Sequence, residues 1–194
     1  NSFRFAEHVE RLRPSAYIIP DSLERGEETK AAFEKFTKDF SLPGIRIGVV
    51  QGKTGKELID CYKFMSEKAD KIAISFDYSY YRSIAPEGSR WERFTLGRQL
   101  FIEKLLAENI INKSKPHHLL GCSLPQEFKK YKTYKWIETV DTSNPIVHGI
   151  KNILYTKEGL TDKESIKLVD LIEERDFDED SILYNVRMFR SFIK

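Results

Sequence analysis

Residues 45–52 read IRIGVVQG, a largely apolar and β-branched run that ends in Gln51 and Gly52. Such a run is typical of a strand that is covered on both faces, as the strands of a parallel sheet are. The stretch that follows carries apolar residues at helical spacing, namely Leu58, Ile59, Tyr62 and Met65. The two segments therefore predict a buried strand at 45–50 and a helix at 55–68.

The same strand-then-helix unit recurs along the chain. Apolar runs predict strands near 16–20, 45–50, 71–76, 117–121 and 136–140. Periodic stretches predict helices at 27–40, 55–68 and 96–109, a helix that opens around Pro125, a long loop at 77–93, and two C-terminal helices at 163–175 and 180–192. Because strands alternate with helices, the sheet should be parallel with right-handed crossovers.

The predicted fold class is therefore α/β, a parallel (β/α) barrel of TIM type that would be incomplete with only about five strands. A chain of 194 residues with 40% hydrophobic residues can bury one core, so residues 1–194 are expected to form a single domain. Within that domain, 1–150 would hold the β/α units and 151–194 would form a C-terminal helical segment.

Composition limits the setting in which the protein works. Charged residues make up 32% of the chain but the net charge is only +2, so any nucleic-acid binding must come from a local surface. Cys61 and Cys122 lie far apart and no signal-peptide pattern is visible, which favours a cytoplasmic location. The apolar runs are shorter than the ~20 residues of a membrane span, so no membrane association is expected. Residue 1 is Asn rather than Met, and we expect the chain to have been processed or cut from a longer one.

Polar residues and glycines follow the predicted strands directly. They are Asp21, Gln51, Gly52, Asp77, Gly121, Cys122 and Asp141. Ligands of parallel α/β folds bind at the carboxyl ends of the strands, so these residues are expected to converge on one site. For Asp21 an equally good alternative is that it caps the next helix.

Other candidate motifs are weaker. Residues 48–54 read GVVQGKT, which is one residue short of a phosphate-binding loop. His117 and His118 begin a strand instead of ending one, and we expect them at the surface or the bottom of the barrel. His148 is expected either to face the site or to pack within a helix. Neither cysteine has a second thiol or a well-spaced histidine nearby, so no metal and no cofactor is predicted.

Several segments together resemble the tRNA-guanine transglycosylase (queuine tRNA-ribosyltransferase) superfamily. The resemblance rests on IRIGVVQG at 45–52, the strand at 69–74, HLLGCSLPQEF at 118–128 and WIETVDTS at 136–143, in the family's order. It covers the chain to about residue 150. The sequence DTSNP at 141–145 is similar to the matching segment of the phage and bacterial relatives that exchange guanine in DNA for 7-deazaguanines.

The resemblance implies a base-exchange glycosyltransferase that replaces guanine in tRNA or DNA with a 7-deazaguanine. Asp141 matches the nucleophile that forms a covalent intermediate with the sugar. Asp21 matches the aspartate that reads the Watson–Crick edge of the base, and Gln51 and Gly52 match residues at its other polar edge. The implied base site also includes Ser75 and Phe76, which stand where the family has two glycines, and Gly121.

Two alternatives remain open at this stage. The matching segments cover the last five strands of a barrel of eight, so a longer chain or a homo- or hetero-oligomeric partner is expected to complete it. Alternatively, the protein is a noncatalytic, nucleic-acid-binding accessory subunit. A basic cluster is interleaved with aromatic residues, and its lysines are Lys129, Lys130, Lys132 and Lys135. We expect these lysines either to contact the phosphates of a nucleic acid or to be ordinary solvated surface.

Overall fold

Strands and helices alternate through most of the computed structural model, which describes residues 2–171 and 177–193. The amino-terminal half contains α1 (Ser2–Leu12), β1 (Ala16–Ile18), α2 (Gly26–Asp39), β2 (Ile45–Val50), α3 (Gly55–Lys68), β3 (Lys71–Ser75) and α4 (Ser79–Ile84). The second half contains α5 (Arg90–Ala107), β4 (His117–Leu120), a 3-10 helix (Pro125–Tyr131), β5 (Ile137–Val140), α6 (Asn144–Ile150), a 3-10 turn (Leu168–Leu171) and α7 (Glu179–Ile193).

The five strands form one curled, all-parallel sheet with the shape of a half-barrel. Their order in the sheet is β1-β2-β3-β4-β5, so each strand pairs with the strand before it in the chain. The predicted α/β class and the five parallel strands are confirmed. Because all strands run the same way, their carboxyl ends lie at one edge of the sheet, which we call the carboxyl edge.

The two faces of the sheet are both apolar, as the sequence runs predicted. Val50, Ile72 and Leu119 belong to a large core that also contains residues of the helices. The alternate strand positions face the other way and form a second, smaller cluster around Val49 and Ala73. This two-sided burial explains why the sequences of β2 and β3 show almost no polar alternation.

No element was predicted ahead of the first strand, where the structure has α1. Ala6 and Val9 of this helix are buried. Its Phe5 ring packs against Tyr17 of β1 and Phe36 of α2, with ring centroids 6.4 and 5.8 Å apart. The helix therefore covers the β1 end of the helix-side core.

Two predicted segments differ from the structure. The helix predicted at 163–175 is wrong for residues 163–167, which are not helical, and only a 3-10 turn follows at Leu168–Leu171; residues 172–176 lie outside the described part. The backbone of this segment makes a tertiary hydrogen bond in place of a helical one, because Glu164 N donates to His148 Nε2. The long loop predicted at 77–93 contains α4 and the beginning of α5, whose first turn is closed by a capping box between Ser89 and Glu92.

Within residues 2–171 and 177–193, no helix is long and apolar enough to cross a membrane.

Candidate active site at the carboxyl edge

The carboxyl ends of β1 and β2 are joined by Gln51. Its side chain is buried, its Nε2 donates to Asp21 Oδ2 at 2.5 Å, and its Oε1 accepts from Glu24 N at 2.8 Å. Asp21 is exposed and does not cap α2, because the N-cap residue of that helix is Arg25. The predicted pair of Asp21 and Gln51 is thus in direct contact, with the carboxylate on the solvent side of the amide.

Gly52 has a packing role at this end of β2. A Cβ at this position would lie 2.7 Å from the backbone N of Leu58, so only glycine permits the close approach of the strand end to α3.

The end of β3 contacts the end of β4 at the carboxyl edge. Ser75 Oγ donates to Asp77 Oδ1 at 2.8 Å. Phe76 packs against Gly121, which has φ +70°, and a Cβ on Gly121 would lie 2.4 Å from Phe76 Cδ1. Gly121 is therefore required both by its left-handed backbone and by this contact.

Asp141 follows β5 and is held by its neighbour strand. Its Oδ1 accepts from Gly121 N at 2.9 Å and pairs with His118 Nε2 at 3.0 Å. Among the described residues, no hydrogen bond reaches Oδ2, and the Asp141 side chain is 57% exposed. One carboxylate oxygen is thus fixed, while the other makes no hydrogen bond within residues 2–171 and 177–193 on this half-exposed side chain.

The tautomer of His118 follows from these partners. A carboxylate only accepts hydrogen bonds, so a neutral His118 must carry its proton on Nε2. Its Nδ1 then accepts from Thr139 Oγ1, which lies 2.9 Å away. Thr139 therefore orients the imidazole, and the imidazole orients Asp141.

The environment of Asp141 keeps its carboxyl group ionised. Partial burial raises the pKa of Asp141, but the hydrogen bonds from His118 and from the Gly121 N–H lower it more, and the charge of Arg98 adds to the lowering. The net pKa lies below the ordinary carboxyl value. At neutral pH the group is therefore a carboxylate, the form needed in a nucleophile and not in a general acid.

Of the two positions expected for His117 and His118, the surface is wrong, and the amino end of β4, at the bottom of the half-barrel, is where they lie. Both are buried at the start of β4, and they point to opposite faces. His117 Nε2 lies 2.9 Å from Tyr62 Oη and its Nδ1 lies 2.9 Å from Lys115 O, and burial lowers the pKa of His117 to about 4. Alternation along the strand was the signal that would have separated the two histidines.

Beneath Gly121 lies a buried ion pair that sequence reasoning missed. Arg98 and Glu127 are both 0% exposed, and the guanidinium holds the carboxylate through two bonds of 2.6 and 3.0 Å. Arg98 also donates to the carbonyl oxygens of Leu120 and Gly121, each at 3.1 Å. The pair fixes the loop whose N–H holds Asp141. Its signal in the sequence is that Arg98 falls between Phe94 and Phe101 on the apolar face of α5.

The structure brings some predicted residues together and leaves others apart. Ser75, Phe76 and Gly121 lie on the same side of the edge as Asp141, through the contacts given above. In residues 2–171 and 177–193, no hydrogen bond or ion pair joins Asp141 to Asp21 or Gln51. The three share the carboxyl edge, at opposite ends of a five-strand sheet.

The predicted lysine cluster is largely used by contacts within the chain. Lys129 donates to Lys157 O, Lys130 pairs with Glu103 at 2.7 Å, and Lys132 donates to Ser191 O. Lys135 borders an open groove of about 490 Å³ at the amino end of β4 and β5, together with Pro116 and Trp136. These lysines therefore do not form one cationic surface at the carboxyl edge.

No group of three or more His, Cys, Asp or Glu side chains suited to a metal ion occurs in the part of the chain that the structure describes. His148 is buried within α6, with Nδ1 2.9 Å from Asn144 O, so the packing alternative describes its position.

Removing the imidazole should change the titration of Asp141. In His118→Leu, we expect the pKa of Asp141 to rise toward the ordinary ~3.9, because its side-chain donor is lost. The folded-state pKa is depressed in the wild type, so the pair stabilises the fold above the ordinary carboxyl pKa, and that stabilisation disappears as the pH falls through the folded value. Carboxyl titration by NMR measures the shift. His8→Leu is the control, since it removes an exposed imidazole of α1 and leaves the His118 to Asp141 contact in place. An unchanged titration in His118→Leu would show that the pair does not hold Asp141.

Comparison of the sequence with protein-family models and with curated proteins finds no match, so the assignment of a function rests on the geometry of the carboxyl edge and on the resemblance of its motifs.

Proposed function

We propose that this protein is a base-exchange glycosyltransferase that replaces guanine in nucleic acid with a 7-deazaguanine, and that the half-barrel belongs to a TIM-type barrel. The observation that carries the proposal is Asp141. It is an ionised, half-exposed carboxylate at the carboxyl edge of a parallel sheet, with Oδ1 held by two donors and Oδ2 without a hydrogen bond in the described part of the chain.

The geometry of Asp141 suits nucleophilic attack on a sugar. Oδ2 would attack C1′ of the target nucleotide while the bond from C1′ to N9 of guanine breaks and its electron pair leaves with the base. The result is a glycosyl ester on Asp141. N9 of the incoming 7-deazaguanine then attacks C1′ and displaces the carboxylate. Its N9 proton passes to solvent, and the released guanine anion takes up a proton from solvent. Two inversions at C1′ give net retention.

His118 and Gly121 act as positioning residues in this scheme. Both donate to Oδ1, so they fix the orientation of the carboxylate without blocking Oδ2. A nucleophile held in the attack geometry loses less entropy on reaching the transition state.

Asp21 is the proposed reader of the base. Guanine presents N1–H and an exocyclic amino group on its Watson–Crick edge, and a carboxylate accepts from both. The amide of Gln51 is already occupied on both sides, by Asp21 and Glu24 N, so its role is to orient Asp21. Gly52, Ser75, Phe76 and Gly121 would complete the walls of the base site. A base within a duplex would have to be flipped out to reach this edge.

The noncatalytic accessory subunit is the second candidate. Among the described strands, β1 and β5 are the edge strands, and each pairs on one side only. A partner or a further segment of chain could pair with these open edges and complete the barrel. In that case the protein would bind nucleic acid but form no covalent bond.

The two candidates are separated by trapping the intermediate. The natural full-length protein is incubated with labelled tRNA or single-stranded DNA, with and without a 7-deazaguanine, and analysed on a denaturing gel. The transferase gives a denaturation-resistant adduct and incorporates the base. Binding without either product supports the accessory subunit, and no binding contradicts both.

Base selection should depend on Asp21. In Asp21→Asn, discrimination for guanine over adenine should fall by about 5- to 150-fold, the effect of about 1–3 kcal/mol for a polar group left mispaired. Exchange assays with guanine- and adenine-containing oligonucleotides measure the ratio. Asp60→Asn, on the outer helix α3, is the control. A ratio that does not change would remove Asp21 from the base site.

A further inference from the structure

Three aromatic rings at the carboxyl edge carry cations on their faces. Phe94 packs against Phe76 and Trp91, with ring centroids 6.1 and 6.2 Å apart. Arg82, Arg90 and Lys163 lie over these rings. We call the six residues the aromatic–cation cluster.

The cations contact the rings closely. Lys163 Nζ is 4.2 Å from the centroid of Phe76 and 5.2 Å from that of Trp91. The guanidinium of Arg90 lies 4.8 Å from Trp91 and 5.6 Å from Phe94. Arg82 covers Phe94 at 5.6 Å. A cation that rests on a ring is held in place while its outward N–H groups stay open to an anion.

These cations have no anionic partners in the described part of the chain. None of the three forms a salt bridge there, whereas Lys130 of the predicted lysine cluster pairs with Glu103. Nearby carboxylates are engaged elsewhere. Glu92 accepts from Ser89 N in the capping box, and Asp77 accepts from Ser75 Oγ. The three cations therefore have no salt-bridge partner in residues 2–171 and 177–193, and the charge of Asp77 acts on Lys163 without forming an ion pair with it.

The cluster lies beside the proposed nucleophile. Lys163 Nζ donates to Cys122 O at 2.7 Å, and the Phe76 ring beneath it packs against Gly121. Gly121 N in turn donates to Asp141 Oδ1. Burial lowers the pKa of Lys163, and a bound anion would offset that cost.

We infer that the aromatic–cation cluster binds the phosphodiester backbone of the nucleic-acid strand that carries the target base. Three cations spread over three neighbouring rings fit a chain of repeated negative charges better than one small anion. The identity of the ligand rests on the proposed function. DNA and RNA share this phosphodiester chemistry, so both are used as probes.

The test is binding of matched single-stranded DNA and RNA oligonucleotides, measured by fluorescence anisotropy over a range of salt concentrations with the full-length protein. Arg82→Gln/Arg90→Gln should bind at least about tenfold more weakly at low salt. The slope of log affinity against log salt should fall by about 1.4, because each lost single-strand phosphate contact contributes about 0.7. Lys130→Gln/Lys132→Gln is the matched control, with the same loss of charge, and should leave both quantities unchanged.

Two further variants separate the loss of charge from a loss of folded structure. Arg82→Lys/Arg90→Lys keeps both charges and should retain most of the affinity, which separates the loss of charge from a loss of structure. If the double glutamine variant does not fold, Arg90→Gln alone is used, because Arg90 lies exposed in the first turn of α5. An equal loss of affinity in the control, unchanged binding in the cluster variant, or no binding of either oligonucleotide by the wild type would overturn the inference.

Adduct formation distinguishes this inference from the proposed function. If the cluster variant binds normally and the wild-type protein forms the adduct, the cluster is not the phosphate-binding site and the transferase proposal is supported. Loss of binding in the cluster variant, with no adduct even in the wild type, supports the cluster and contradicts the transferase.

Discussion

Asp141→Asn should reduce base exchange by at least about 10⁴-fold and eliminate the covalent adduct. The amide oxygen of Asn keeps an acceptor for the Gly121 N–H and for His118 Nε2, so the position of the side chain is preserved. The negative charge and the nucleophilic oxygen are lost. Binding of the oligonucleotide should change by less than about twofold, because the proposed phosphate contacts are made by other residues. Exchange is followed by incorporation of a labelled 7-deazaguanine.

Asp77→Asn is the control for this variant. Asp77 is another carboxylate at the same edge, next to the end of β3. It should retain an adduct, since no step of the exchange uses it. If both variants lose the adduct equally, or if Asp141→Asn retains it, Asp141 is not the nucleophile.

Arg98→Met should destabilise the fold by about 3–5 kcal/mol, because it leaves Glu127 as an unpaired charge in a fully buried position. The variant also loses the bonds to the carbonyl oxygens of Leu120 and Gly121. Urea unfolding at neutral pH, monitored by circular dichroism, measures the free energy of unfolding.

Two variants calibrate this loss. Arg98→Met/Glu127→Leu removes both charges and should recover much of the stability, since apolar residues often replace a buried pair at little cost. Lys130→Met breaks the exposed pair with Glu103 and should change stability by less than about 1 kcal/mol. A cost below about 1 kcal/mol for Arg98→Met would show that the buried pair does not hold the β4 loop.

The strands of this fold were predictable because each is an apolar run between helical repeats. Residues 47–50 and 71–75 are buried on both faces of the sheet, so burial determines their apolar composition. The helix predicted at 163–175 shows the limit of periodicity. Lys163 and Glu164 are held by Cys122 and His148, and such contacts with distant residues override a local helical pattern.

The candidate site was predictable in outline for a topological reason. Parallel strands end at one edge, so Asp21, Gln51 and Asp141 had to lie there once the strands were identified. Their partners were not predictable in the same way. The contact of His118 with Asp141 depends on the register between β4 and β5, and the pairing of Arg98 with Glu127 depends on how α5 packs. Neither register nor packing can be read from local spacing.

The site of covalent attachment tests the proposed mechanism most directly. The adduct trapped on the full-length protein is digested with trypsin and the modified peptide is identified by mass spectrometry. Cleavage after Lys135 and Lys151 isolates residues 136–151, which contain both Glu138 and Asp141. The transferase mechanism predicts the sugar on Asp141 in the fragment spectrum. Attachment to Glu138 or to any other residue, or the absence of a covalent product while base exchange proceeds, would contradict it.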